Sequence, residues 1–263
     1  SDPYNLSGQG VGLGQWELGV PDDHIDFGER LTVGDPEAEI REHATHVAGT
    51  MAGDGTNSEN AGGTAGQWRG MAPGARIVSF DVGDTIIEHL EAINDYDIEL
   101  SQNSWGWNVD EAWYDNCELY GAYILDAADY DKIVTGLYGK RIVTVFSAGN
   151  ERNDWDCGMD RSPPYPNWGN VIPPGTAKNV ITVGATNSDD DSQTQFSSWG
   201  PVADGRLKPE VVAPGCQEPR DDSDAEMTIW STYPGNGYGG MCGTSMSAPA
   251  VSGISALLIE QFR

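Results

Sequence analysis

The chain has 263 residues, of which 38% are hydrophobic, enough for one sizeable core. Asp and Glu number 41 against 14 Lys and Arg, a formal net charge of −27, so its surface repels nucleic-acid phosphates and anionic lipid. No apolar run is long enough to cross a bilayer. Such a surface favours solubility, cations and basic peptides, and is equally that of a heavily solvated or salt-adapted protein.

In chain order, Val11 to Trp16 reads as a short strand entered through Gly8 and Gly10. Glu17 stands at its carboxyl end, where parallel α/β sheets collect their chemistry. His43 to Ala52 reads as a buried helix with His43 and His46 on one face. A metal pair is conceivable there, but the segment lacks the glutamate of the zinc motif H-E-x-x-H. Residues 54–70 form a loop rich in Gly, Asn, Ser and Thr. Ala75 to Phe80 reads as a strand, Glu88 to Ile98 as a helix, and Ile98 to Asn103 as a strand running into Ser104-Trp105-Gly106. Trp113 to Leu137 is mostly helical in pattern. Arg141 to Phe146 is a β-branched strand that ends in Ser147-Ala148-Gly149-Asn150.

Beyond a loop at 153–170, further strands are predicted at Asn179 to Gly184, Glu210 to Ala213, Thr228 to Tyr233 and Tyr238 to Met241, with an acidic excursion at 217–226. The turn-prone run Gly243 to Pro249 then delivers Ser245 to an apolar helix over Ala250 to Ile259, with Pro249 expected in its first turn. Free amides and the positive dipole end suit a nucleophilic oxygen whose partner becomes an oxyanion. A plain serine N-cap is the bland alternative. Strands alternate with helices without a break in composition, which predicts one α/β domain over 1–263 with a mostly parallel sheet. Four cysteines without a C-x-x-C pair point to two disulfides and an exported, extracytoplasmic protein. Three pairings are open, and Cys117–Cys157 with Cys216–Cys242 is preferred.

Three separated motifs carry a resemblance. HATHVAGT from His43, SAGN ending at Asn150 and GTSMSAP around Ser245 follow the order and plausible spacing of the subtilisin-like serine proteases. FSSWGP from Phe196 and KPEVVAPG from Lys208 are similar to further segments of that family. The resemblance implies a three-layer subtilisin-like fold, with a mostly parallel central sheet flanked by helices, and a secreted serine endopeptidase that needs no cofactor for its chemistry. In that reading Ser245 is the nucleophile, His43 the general base, and the Asn150 side chain with the Ser245 N–H the oxyanion hole. Ser104, Trp105 and Gly106 pair with the substrate backbone, and Ala148 and Gly149 line the other side of the pocket.

Departures from the family pattern define what the structure must address. The family has Asp at the end of its first strand, where this chain places Glu17, so a Glu17-His43-Ser245 triad is expected. A broad-specificity protease of the same family, or a binding or chaperone module that has lost turnover, is the alternative. Ala44 replaces a glycine. The family normally continues past the point where this sequence stops, into a further helix and strand, so a separate C-terminal segment and an N-terminal propeptide join the peptide substrate as expected partners. The stretch Asp156 to Asp160 is similar to a loop in furin and kexin. That likeness implies Asp110 and Asp156 as ligands of a structural calcium, with Ser198 falling near the third ligand's place. It also implies Asp110 and Asp160 as acids favouring a basic residue before the scissile bond.

Overall fold

A computed structural model describes residues 4–107, 109–111, 114–153, 169–217 and 228–263. Its centre is a sheet of seven strands: β1 (Gly12–Glu17), β2 (Leu31–Val33), β3 (Arg76–Asp81), β4 (Leu100–Asn103), then, after a small hairpin of β5 (Asp110–Glu111) and β6 (Tyr114–Asp115), β7 (Val143–Ser147), β8 (Ile181–Asn187) and β9 (Val211–Cys216). They lie side by side as β2-β3-β1-β4-β7-β8-β9, every pair parallel. A second hairpin, β10 (Ile229–Tyr233) and β11 (Gly237–Met241), is antiparallel.

Among the described residues four helices cover the sheet: α1 (Glu42–Ala52), α2 (Thr85–Asn94), α3 (Leu125–Val134) and α4 (Thr244–Phe262). Successive strand residues point to opposite faces, so each buried strand feeds two cores. Leu13, Ile77, Leu100, Val145 and Val183 pack beneath α1 and α4 with Ala48, Met51 and Ala256. Trp16, Val78, Phe80 and Phe146 pack beneath α2 and α3 with Ile93, Tyr130 and Ile133. The result is the expected three-layer α/β arrangement, a mostly parallel sheet between two layers of helices. Its rims differ from its middle: β2 has three residues, and β9 is interrupted by the exposed Pro214.

Three expectations need correction. The second helix starts at Thr85 and stops at Asn94, because Asp97 takes a positive φ of 52° and turns the chain toward β4. The pattern over 113–137 is not one helix. Gly121 adopts φ 68° and donates its N–H to Val171 O at 2.9 Å, and a side-chain carbon there would fall 3.0 Å from Ala203 N and 3.1 Å from Gly169 O. That close approach suits only glycine, so α3 begins at Leu125. Pro249 lies in the second turn of α4, because the helix starts at Thr244.

Cys216 is bonded to Cys242, across a sequence separation of 26 residues. The bridge joins the end of β9 to the segment entering α4. Cys117 is disulfide-bonded as well, and its expected partner Cys157 lies outside the described residues. Replacing Cys216 and Cys242 together with Ser is expected to lower stability by roughly 2–4 kcal/mol, read as a lower urea midpoint at unchanged slope. An unchanged midpoint would show that the bridge adds nothing beyond the packing around it.

Candidate active site

The carboxyl ends of β1, β4 and β7 meet the amino ends of α1 and α4. Glu17 closes β1, and its side chain is only 1% exposed. Both carboxylate oxygens are engaged: Oε2 lies 2.8 Å from His43 Nδ1, and Oε1 accepts the Ser104 N–H at 3.1 Å. The extra methylene of Glu is thus absorbed by seating the carboxylate between α1 and the end of β4. Asp26, a buried acid in the turn after β1, serves elsewhere. It accepts the N–H groups of Gly55 and Asn57 and the Tyr238 hydroxyl, at 3.1, 3.0 and 2.6 Å.

His43 is the second residue of α1. Burial pulls its pKa down, but the charge of Glu17 and the hydrogen bond to it prevail, so the value stands above the ordinary 6.5. The ring must be neutral to take a proton. The acid limb of kcat/KM is therefore expected to titrate above pH 6.5, whereas a limb at or below that value would show an imidazole uncoupled from Glu17. The pair's contribution to stability runs the other way: it is complete below pH 6.5 and lost as pH rises through the folded value.

His46 has a different task. Its Nε2 lies 2.8 Å from the Ile229 carbonyl, and burial pushes its pKa down to about 4, so it is a neutral core donor tying α1 to β10. Among the described residues no group of three or more His, Cys, Asp or Glu is placed to hold a metal ion. Of the calcium site suggested by the loop likeness, only the Ser198 side chain lies among the described residues. Ser198 is spent on Glu151, donating to Oε2 at 2.9 Å and accepting the Glu151 N–H at 3.0 Å. Asp156, Asp160 and the side chain of Asp110 lie outside the described residues.

Ser245 is the second residue of α4, so its N–H is a first-turn amide with no intrahelical acceptor. Asn150 lies beside it. Its Oδ1 accepts the Thr244 N–H at 2.9 Å and the Thr244 hydroxyl at 3.1 Å. A backbone N–H can bond only the carbonyl end of an amide, so this network assigns the orientation and leaves the Nδ2 donors on the side away from Thr244. The Ser245 hydroxyl makes a long 3.4 Å contact to the Ser104 carbonyl. Among the described residues it forms no hydrogen bond to His43, and nucleophile–base hydrogen bonds commonly tighten only when substrate is bound.

A cleft of about 700 Å³ opens along Leu18, Ile40, His43, Ser104, Trp105 and Gly106. Ala148 and Gly149 follow the end of β7, where they are buried and pinned through Ala148 N–H to Val183 O (2.9 Å), Ile172 N–H to Ala148 O (3.2 Å) and Ser198 N–H to Gly149 O (2.9 Å). Gly149 takes φ 104°, and a side-chain carbon there would fall 2.2 Å from Glu151 Oε2. Glu151, whose carboxylate lies against Gly149, is a residue that motif reading passes over, although its place directly after Asn150 was the available signal. Thr244, which orients Asn150, is likewise visible only as the residue before the serine.

Comparison with known proteins follows from this geometry. Residues 19–263 match the Subtilase family, Peptidase S8. Over 284 residues the chain is 29% identical to serine protease AprX of Bacillus subtilis (strain 168), covering 97% of this chain and 58% of that protein. The chain thus spans less than two thirds of that curated relative. Among solved structures it shares its fold with a cold adapted subtilisin-like serine proteinase, at 23% identity and a TM-score of 0.63, covering 100% of this chain and 80% of that one. The self-cleaved protease domain of PatA gives 21% identity and a TM-score of 0.66, over 97% and 82%. The CspB protease of Clostridium perfringens gives 19% and 0.69, over 99% and 85%.

Proposed function

The chain belongs to the subtilase family, and on that premise we propose that it is a serine endopeptidase working through Glu17, His43 and Ser245. Ser245 Oγ attacks the scissile carbonyl while His43 Nε2 takes its proton, and the buried Glu17 carboxylate stabilises the imidazolium. Asn150 Nδ2 and the Ser245 N–H hold the oxyanion. Collapse breaks the peptide bond, with the His43 proton passing to the leaving amine, and water then releases the acyl group by the same steps in reverse order. The observation carrying this reading is the 2.8 Å contact between Glu17 and His43, which line one cleft with Ser104, whose carbonyl lies 3.4 Å from Ser245 Oγ. A fluorophosphonate should label Ser245, as located by peptide mapping, and labelled protein should no longer cleave a denatured protein substrate. An unlabelled Ser245 at neutral to mildly alkaline pH would favour a binding module instead.

The substrate class proposed is a peptide with a basic residue before the scissile bond. Support comes from the net charge of −27, from the acid-rich stretch 156–160 and from the Glu151 carboxylate set against Gly149. Charge-assisted hydrogen bonds from Arg or Lys fit such a wall. Peptides differing only at that position should show kcat/KM at least about 10-fold higher for Arg than for Phe or Leu, which corresponds to about 1.4 kcal/mol. A preference for Phe or Leu ends the basic-pocket assignment. Secretion is proposed from the disulfides. A propeptide is the further partner proposed from family membership.

A further inference from the structure

A line of polar side chains runs through the apolar layer between β4 and α4. Ser252 Oγ donates to Gln102 Oε1 at 2.6 Å, Gln102 Nε2 donates to Ser104 Oγ at 2.7 Å, and Ser104 Oγ donates to the Ser245 carbonyl at 3.0 Å. Ser252 and Gln102 are fully buried and Ser104 nearly so. The final acceptor explains why the line exists. In an α-helix the Ser245 carbonyl would be bonded by the N–H of residue 249, but residue 249 is proline and has none. The Ser104 hydroxyl supplies the missing donor.

Ser104 also touches the rest of the site. Its N–H holds Glu17 Oε1 at 3.1 Å, and its carbonyl lies 3.4 Å from Ser245 Oγ. On the other side of the nucleophile, the Thr244 N–H is fixed by Asn150 Oδ1 at 2.9 Å. Ser245 is therefore anchored through its own carbonyl and, one residue earlier, through the Thr244 N–H, and those two fixed points restrict the direction of its Cα–Cβ bond.

We propose that the Ser104 side chain, oriented by Gln102 and Ser252, is a positioning residue for the nucleophile. This is distinct from any pairing of the Ser104 backbone with substrate, and it rests on the serine-endopeptidase reading above. The relay acts on the geometry of attack and leaves the cleft intact, so its loss should appear in kcat.

The test measures fluorophosphonate labelling rate, kcat, KM and thermal midpoint for the wild type and a small set of variants. Ser104→Ala should be labelled about 10-fold more slowly, with kcat falling by the same factor and KM changing less than about 2-fold. Its acid limb should stay in place, because Glu17 is held by the Ser104 backbone N–H, which the substitution keeps. Gln102→Met alone should slow labelling about 3-fold, and the double variant should be no slower than Ser104→Ala, since one line is cut in both. Ser104→Thr keeps the hydroxyl and should come within about 3-fold of wild type. The proposal is overturned if Ser104→Ala is labelled at the wild-type rate, or if the two losses multiply. Should Ser104→Ala fail to fold, Gln102→Met decides: wild-type labelling by that variant overturns the relay. A wild type that resists labelling brings down the enzymatic reading and the relay with it, an outcome separate from a labelled wild type with indifferent variants.

Discussion

Replacing Glu17 with Gln is expected to lower kcat by about 10³–10⁴-fold, with KM changed only a few-fold. The amide is nearly isosteric, so the contact with the Ser104 N–H and the seat between β4 and α1 survive. Two things are lost. No negative charge remains to stabilise the imidazolium at the moment it forms, and an amide NH₂ presented to Nδ1 favours the wrong ring tautomer. The pH profile separates this from general damage. The pKa of His43 lies above 6.5 because Glu17 outweighs burial, so removing the charge leaves burial unopposed and the residual activity should titrate below 6.5. A large loss with an unmoved acid limb would mean that Glu17 acts only as a spacer.

The second large effect is expected at Asn150. Asn150→Ala should lower kcat by about 10²–10³-fold at nearly constant KM, the signature of a donor that matters only to the transition state. Asn150→Asp tests the orientation assigned here. An aspartate still accepts both Thr244 donors, at 2.9 and 3.1 Å in the native geometry, but turns a negative oxygen toward the developing oxyanion. It should therefore be at least as damaging as Ala. An Asp variant that outperforms Ala would show that the Asn150 amide faces the other way.

The parts of this site readable in the sequence are those where a short stretch of chain sets the chemistry. His43, Asn150 and Ser245 sit within local motifs, each at the end of an element whose period is visible, and β1, β3, β4, β7 and β8 all fall near their expected places. What was hidden depends on distant partners. Glu17 is legible as a candidate from its place at the end of β1, but its burial is not, because it depends on α1 and the end of β4 closing over it. His43 and His46 share a helix face in pattern, yet they diverge because Ile229, 183 residues away, offers a carbonyl to His46. The helix pattern across 113–137 breaks at a glycine whose conformation is dictated by Val171 and Ala203. The Ser252–Gln102 hydrogen bond links positions 150 residues apart and leaves no trace in either neighbourhood.

The rims of the central sheet carry a consequence for how many copies of this chain tolerate one another. An open row of amides and carbonyls at a sheet edge is a template on which foreign strands assemble into fibrils. Here one edge is a three-residue stub, and the other is broken by Pro214, which has no amide hydrogen to offer. With 27 net negative charges repelling neighbours as well, the folded chain should stay dispersed at concentrations where a longer, unbroken border would seed aggregation.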